Sequence, residues 1–233
     1  MNAVITGASK GLGKAIAIAL VQKGFNVFIH SRSEGDLDKV KQELLALNPK
    51  CKVFYFACDI SNKDAIKALA ISILSVFREV DILINNAGVY LPGTISAEPE
   101  GTLEQLLNTN LYSAYHLTRA ILPNMLHRNS GHIFNMCSIA SLDSYPGGSS
   151  YCISKFALLG FSKCLREELK DKGIRVTSIL PGATWSDSWK GANLPADRIM
   201  QATDIAKIVL CAIELSPSAV LEEIIVRPQL GDL

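Results

Sequence analysis

Tyr151 and Lys155 stand four residues apart in Tyr151-Cys152-Ile153-Ser154-Lys155. On a helix, residues i and i+4 share a face, so this phenol and this ammonium can address one site. A free tyrosine, with a pKa of about 10, is a poor acid or base near neutrality, and a cation beside it favours the phenolate and lowers that value. Thirteen residues earlier, Ser138 follows the apolar run Ile133-Phe134-Asn135-Met136-Cys137, as a hydroxyl at the exit of a buried strand. Its chemistry would be to hydrogen-bond a carbonyl while Tyr151 delivers the proton. The same spacing also describes an exposed tyrosine beside a solvated lysine, so the elements around the pair decide.

Those elements begin with Ala3-Val4-Ile5, a short buried-strand pattern running into Thr6-Gly7-Ala8-Ser9-Lys10-Gly11-Leu12-Gly13 and then the helical run Lys14 to Lys23. Strand, glycine-rich turn and helix make a dinucleotide entry: glycines let the backbone approach a pyrophosphate that rests on the helix N-terminus. A second strand covers Asn26 to His30. Past its end, where an acidic residue would take the 2′-hydroxyl of an NAD ribose, stand Ser31 and Arg32. With Lys10 they place two cations and a hydroxyl around a 2′-phosphate, which favours NADP(H) over NAD(H). The competing assignment makes Arg32 a solvated loop charge and gives an NAD ribose to Glu34 or Asp36.

Leu37 to Leu47 has helical spacing, and Val53 to Ala57 forms a third strand ending in Cys58-Asp59-Ile60. Asp59 is placed to accept from an adenine amine or to cap the next helix, and both uses are compatible. A helix from Lys63 to about Glu79 precedes a fourth strand, Asp81 to Ile84, followed by Asn85-Asn86-Ala87-Gly88. Small and amide residues there permit close cofactor approach and tie neighbouring strands together. One long helix is expected over Thr102 to Arg128, with Asn110 inside its apolar stripe as structural glue or as part of the site. Gly131 to Met136 is the fifth strand, Tyr151 to Lys172 a helix, and Ile174 to Leu180 a strand leading to Pro181-Gly182. Asp204 to Leu215 and Glu222 to Val226 close the series. Alternating strands and helices imply a Rossmann-type, doubly wound parallel sheet in a single domain over 1–233, with the ligand at the carboxyl ends of the strands.

Composition narrows the class. The chain is 48% hydrophobic with a formal net charge of +1, which suggests neither a disordered tail nor a basic nucleic-acid surface. No apolar run approaches the roughly 18 residues of a membrane helix, and Met1 leads straight into a strand, so a soluble, cytoplasmic protein is the expectation. Cysteines 51, 58, 137, 152, 164 and 211 form no C-x-x-C pair and no metal-like cluster. They read as reduced core thiols, and no metal is expected.

Taken together in this order, Thr6 to Gly13, Asn85 to Gly88, Asn110, Ser138, Tyr151, Lys155 and Pro181-Gly182 resemble a short-chain dehydrogenase/reductase over nearly the whole chain. The resemblance implies Tyr151 as acid/base, Lys155 lowering its pKa and holding the nicotinamide ribose, Ser138 polarising the carbonyl, and Asn110 anchoring a water relay to Lys155. It also implies that the pyrophosphate meets Gly7, Ser9, Lys10, Gly11, Leu12 and Gly13, that adenine sits by Asp59 and Ile60, and that Asn86, Ala87 and Gly88 line the cofactor. After Pro181 and Gly182, Ser186 is the best match for a hydroxyl touching the nicotinamide amide, with Thr184 second. A homodimer or homotetramer is implied, its contacts near the helices of Asn110 and Tyr151; Phe161, Cys164 and Leu165 could serve that contact or the sheet.

Two departures qualify the resemblance. The C-terminus, Val226 to Leu233, lacks the aspartate-glycine-glycine tail common in acyl-carrier-protein ketoreductases. The variable substrate region of about 183–200 holds Trp185 and Trp189 near Lys190 and Asp197, which Tyr90 and Tyr145 can join, as lid packing or as substrate contacts. The expected activity is hydride transfer between NADP(H) and a small or medium ketone, aldehyde or secondary alcohol. A 3-oxoacyl thioester is one substrate variant, and a non-catalytic dinucleotide sensor is the rival of another class. A sugar-nucleotide epimerase or dehydratase would need a larger C-terminal domain.

Overall fold

The computed structural model describes residues 1–186, 189 and 191–233. Seven strands form one parallel sheet: β1 (Asn2–Thr6), β2 (Asn26–Ser31), β3 (Val53–Ala57), β4 (Ile82–Asn85), β5 (Gly131–Met136), β6 (Ile174–Pro181) and β7 (Glu223–Val226). Their spatial order is β3-β2-β1-β4-β5-β6-β7. The order reverses between β1 and β4, and in open α/β sheets ligands bind at such a switch point.

The strands are apolar on both faces because helices cover both. Ala3, Ile5, Ile29 and Ile84 belong to one core, which α1 (Gly11–Gln22), α2 (Glu34–Leu47) and α7 (Ala202–Glu214) complete. Val4, Phe28 and Leu83, their neighbours in sequence, point the opposite way into the core under α3 (Lys63–Val76), α5 (Ser113–Arg128) and α6 (Ser149–Leu169). Period-two alternation between two buried faces gives the near-continuous apolar runs of parallel strands.

The expected long helix over Thr102 to Arg128 is interrupted. It consists of α4 (Thr102–Leu107), a π-helical turn over Asn108–Tyr112 and then α5. A π turn widens the helix by one residue. Asn110 lies in this turn and is fully engaged: its Nδ2 donates to Val89 O (3.0 Å) and Ser154 Oγ (2.9 Å), and its Oδ1 accepts from Val89 N (2.8 Å).

Candidate active site

The site begins where β1 ends. Thr6 Oγ1 accepts from the backbone N–H groups of Asn86 (3.0 Å) and Ala87 (2.9 Å), and Asn86 Nδ2 donates to Thr6 O (2.8 Å), so the two central strand exits are laced together. Asn85 reaches the other way, donating to Thr118 Oγ1 and Asn135 Oδ1. Gly7 adopts φ +66°, and a Cβ there would lie 2.9 Å from Ala87 Cα. A Cβ on Gly13 would overlap the Gly7 carbonyl oxygen, so the turn and α1 close only around hydrogen. The first turn of α1 holds no acidic residue and has no side-chain cap, which leaves its positive end to the cavity.

A cavity of about 960 Å³ runs from this turn across the carboxyl ends of the strands. Of the residues singled out from sequence, Gly7, Ser9, Lys10, Gly11, Leu12, Ser31, Arg32, Asp59, Ile60, Asn86, Ala87, Gly88, Ser138, Tyr151, Lys155, Pro181, Gly182, Thr184 and Ser186 all line it. Gly13 and Asn110 do not. Gly13 acts by admitting the turn, and Asn110 by fixing Val89 beside Gly88, where a Gly88 Cβ would lie 3.2 Å from Asn110 Oδ1.

At one end, Arg32 and Lys10 are exposed and Ser31 is buried, its Oγ donating to Ser33 O (3.3 Å). Asp59 does not cap α3. Its Oδ1 accepts from Ser61 N (3.0 Å) and Ser61 Oγ (2.8 Å), while Asn62, at the N-cap itself, accepts from Asp64 N and Ala65 N. Those bonds from Ser61, with a smaller contribution from Arg32, hold the Asp59 carboxyl below its usual range.

At the other end, α6 carries Tyr151 and Lys155 in its first two turns. The Tyr151 phenol lies beside the Ser138 side chain, close enough for the hydroxyl to favour its ionised form. Ser138 is fixed by Ala140 N, which donates to its Oγ (3.1 Å), and by its own N–H donating to Ser141 Oγ (3.2 Å). Lys155 is 5% exposed, and its Nζ donates to Met136 O (2.9 Å). Burial pushes its pKa from 10.5 down to about 8.

The expected lowering of the Tyr151 pKa by Lys155 is not seen. Burial raises it, the Ser138 hydroxyl opposes the rise, and the buried Cys152 and Cys137 thiols add to it. The reason is geometric: the ammonium sits 5.8 Å from the Tyr151 ring centroid and spends a hydrogen bond on Met136.

The substrate end is closed by residues far apart in sequence. Tyr90 meets the Tyr151 ring edge-on with centroids 5.0 Å apart, and Tyr90, Tyr145 and Trp189 all line the cavity. Trp185 does not; its Nε1 donates to Ala196 O (2.8 Å), so it packs the loop. Lys190 lies outside the described residues. Sequence reasoning missed Arg227, Asp232 and Leu233, which also line the cavity. Arg227 Nη1 pairs with Asp232 Oδ2 at 2.6 Å, and Arg198 Nη1 donates to Gly231 O (2.9 Å), which folds the C-terminal residues back over Gly182. No local pattern announces this, because the tail is neither strand nor helix.

Cys51, Cys137 and Cys152 are buried, but Cys164 and Cys211 are exposed rather than in the core, on the outer faces of α6 and α7. Leu165 is buried in the core, and Phe161 is half-buried against it. No group of three metal-ligating side chains is found among the described residues. No helix among them is long and apolar enough to cross a membrane.

With this geometry, comparison with known proteins is decisive. The family described as short chain dehydrogenase is matched over residues 1–196. The chain belongs to that family. Among its relatives, sepiapterin reductase of Chlorobaculum tepidum is 32% identical, over 99% of this chain and 97% of the relative. The 3-oxoacyl-[acyl-carrier-protein] reductase of Haemophilus influenzae is 33% identical, over 89% of this chain and 88% of the relative. The alcohol dehydrogenase of the archaeon Thermococcus sibiricus, solved in complex with 5-hydroxy-NADP, superimposes with a TM-score of 0.91 at 27% identity, covering 100% of this chain and 98% of that one. This short-chain dehydrogenase is therefore an oxidoreductase, on a fold its relatives share from end to end.

Proposed function

We propose that the protein is an NADP(H)-dependent carbonyl reductase or alcohol dehydrogenase, moving a hydride between the nicotinamide and the carbon of a small or medium ketone, aldehyde or secondary alcohol. The observation that carries this is one continuous cavity with the glycine turn, Ser31 and Arg32 at one end and Ser138, Tyr151 and Lys155 at the other. In that cavity Gly7 to Gly13 would admit the pyrophosphate, Arg32 and Lys10 would hold the 2′-phosphate, and Asp59 and Ile60 would flank the adenine. Asn86 to Gly88, Pro181, Gly182, Thr184 and Ser186 would line the nicotinamide half. Bound there, the cofactor supplies the hydride.

The protein's own residues handle oxygen and proton. Ser138 donates to the substrate oxygen, and the raised Tyr151 pKa keeps the phenol protonated at neutral pH, ready to protonate that oxygen as negative charge develops on it. Lys155, whose pKa near 8 makes it a proton carrier near neutrality, resupplies the phenol. Asn110 holds the backbone at Val89 in place beside them, the position from which a water relay to Lys155 would start. A purely sensing protein would have no need of Ser138, Tyr151 and Lys155 together.

The substrate region of about 183–200 and the C-terminal residues shape selectivity. The Arg227–Asp232 pair at the cavity favours a carbonyl with polar substituents over an extended acyl chain. Exposed Ile153 and Phe156 on α6 and Tyr112 beside it are the surface on which a homodimer or homotetramer forms. The experiment is loss of NADPH absorbance against ketones, aldehydes, quinones and 3-oxoacyl thioesters, with NADH in parallel. Selective NADPH consumption that disappears in Tyr151→Phe supports the proposal, and equal consumption by both proteins refutes it.

A further inference from the structure

Helix α6, which carries both Tyr151 and Lys155, starts without a cap of its own. Its N-cap is Gly148, no side chain there accepts a hydrogen bond, and its first turn holds no acidic residue. A helix start presents unpaired N–H groups and a partial positive charge. A carboxylate from another loop holds its first turn by a side chain instead. Glu98, in the loop between β4 and α4, accepts a hydrogen bond on Oε1 from the Oγ of Ser150, a residue only 2% exposed.

The other carboxylate oxygen, Oε2, is buried without a hydrogen-bond partner. No backbone N–H of α6 donates to it, so the tie between Glu98 and the helix runs through the Ser150 hydroxyl. The loop is fastened to the same place by its backbone: Gly93 N donates to Gly147 O (2.8 Å), and Ser149 N donates to Gly93 O (3.2 Å). Gly93 must be small for this, since a Cβ on it would stand 2.8 Å from Glu98 Cβ. The same loop delivers Tyr90 edge-on to the Tyr151 ring.

From this arrangement we infer that Glu98 is a positioning residue for Tyr151: through Ser150 it ties the β4–α4 loop to the first turn of α6 and seats Tyr90 against the phenol ring. The inference rests on the reductase reading of Tyr151, and its test separates the two. Without Glu98, the first turn of α6 frays and the phenol loses its fixed bearing on the substrate oxygen. A misplacement on the scale of 1 Å costs roughly 100-fold in rate, and partial fraying costs less.

The test compares Glu98→Ala, Glu98→Gln, Ser150→Ala and the Glu98→Ala/Ser150→Ala double variant, with Tm recorded for each. Glu98→Ala lowers kcat by about 10- to 100-fold with the KM for NADPH unchanged, and Glu98→Gln, which still accepts from Ser150, restores most of it. Ser150→Ala falls in the same direction, and the double variant falls no further than Glu98→Ala, because the two act as one unit. A second readout needs no turnover. The interring NOE between Tyr90 and Tyr151, assigned with Tyr151→Phe, weakens in Glu98→Ala and persists in Glu98→Gln.

A Glu98→Ala protein with wild-type kcat and an intact NOE overturns the inference, as does one that loses only Tm. If the wild type reduces no carbonyl yet the NOE responds as described, the reductase reading fails and the positioning role stands.

Discussion

Replacing Lys155 by Met should stabilise the protein while destroying its activity. The buried ammonium, depressed from 10.5 to about 8, carries a penalty of about 3 kcal/mol at neutral pH, at about 1.4 kcal/mol per pH unit. Losing the 2.9 Å bond to Met136 O returns about 1 kcal/mol of that. Methionine fills a similar volume without charge, so the net gain is about 2 kcal/mol, or roughly 4–8 °C in Tm for a chain of this size.

The pH dependence gives the sharper signature. Between about 8 and 10.5 the unfolded chain holds the lysine proton and the folded protein has lost it. The unfolded state then binds more protons, and stability rises with pH. The advantage of Lys155→Met is therefore full at pH 7 and closes as pH rises through that window. Urea unfolding of both proteins at pH 7 and near pH 10, at matched concentration, measures it. A variant less stable than wild type at pH 7, or a gap that does not change with pH, refutes the reasoning.

Other outcomes follow from the same structure. Arg32→Asp should cut the NADPH-to-NADH ratio of kcat/KM by at least about tenfold, one lost charge contact being worth about 1.4 kcal/mol or more; an unchanged ratio removes Arg32 from the 2′-phosphate site. Gly13→Ala forces a methyl into the Gly7 carbonyl and should cost roughly 1–3 kcal/mol of stability together with NADPH affinity, measured by thermal melts and fluorescence titration. Asn110→Ala strands the N–H and C=O of Val89, and urea unfolding should show a loss of roughly 1–3 kcal/mol. With Tyr151 raised by burial and Lys155 near 8, kcat for carbonyl reduction should be flat through neutrality and fall on the alkaline side as these protons are lost. A profile that rises with pH contradicts the assigned proton donor.

Much of the site was readable because its residues announce themselves locally. The glycine turn, the hydroxyl leaving β5 and the i, i+4 pair on α6 each depend on one strand, turn or helix, and the alternation of strands and helices placed them at the carboxyl ends of the strands. What stayed hidden depends on long-range packing. The π turn at Asn110 carries an amide clasping Val89, the bond on Ser150 at the start of α6 comes from Glu98 in another loop, and Arg227 and Asp232 line the cavity on a tail that Arg198 holds. The direction of the Tyr151 shift was missed for a related reason. Spacing shows that Lys155 shares a helix face with the phenol but not that its ammonium bonds to Met136 while burial surrounds both. Asp59 lost its capping role to Asn62, which stands closer to the start of α3.

The central claim is that hydride passes from NADPH to a carbonyl carbon while Tyr151 supplies the proton. The most direct test incubates wild type and Tyr151→Phe with NADPH carrying deuterium at both C4 positions and the best carbonyl substrate of the panel, and follows deuterium in the alcohol by mass spectrometry. The account predicts stoichiometric deuterium transfer by wild type and a rate at least about 100-fold lower in the variant, with NADPH binding intact in both. Deuterium transfer at equal rates would contradict it, since the phenolic proton would then play no part in the reaction.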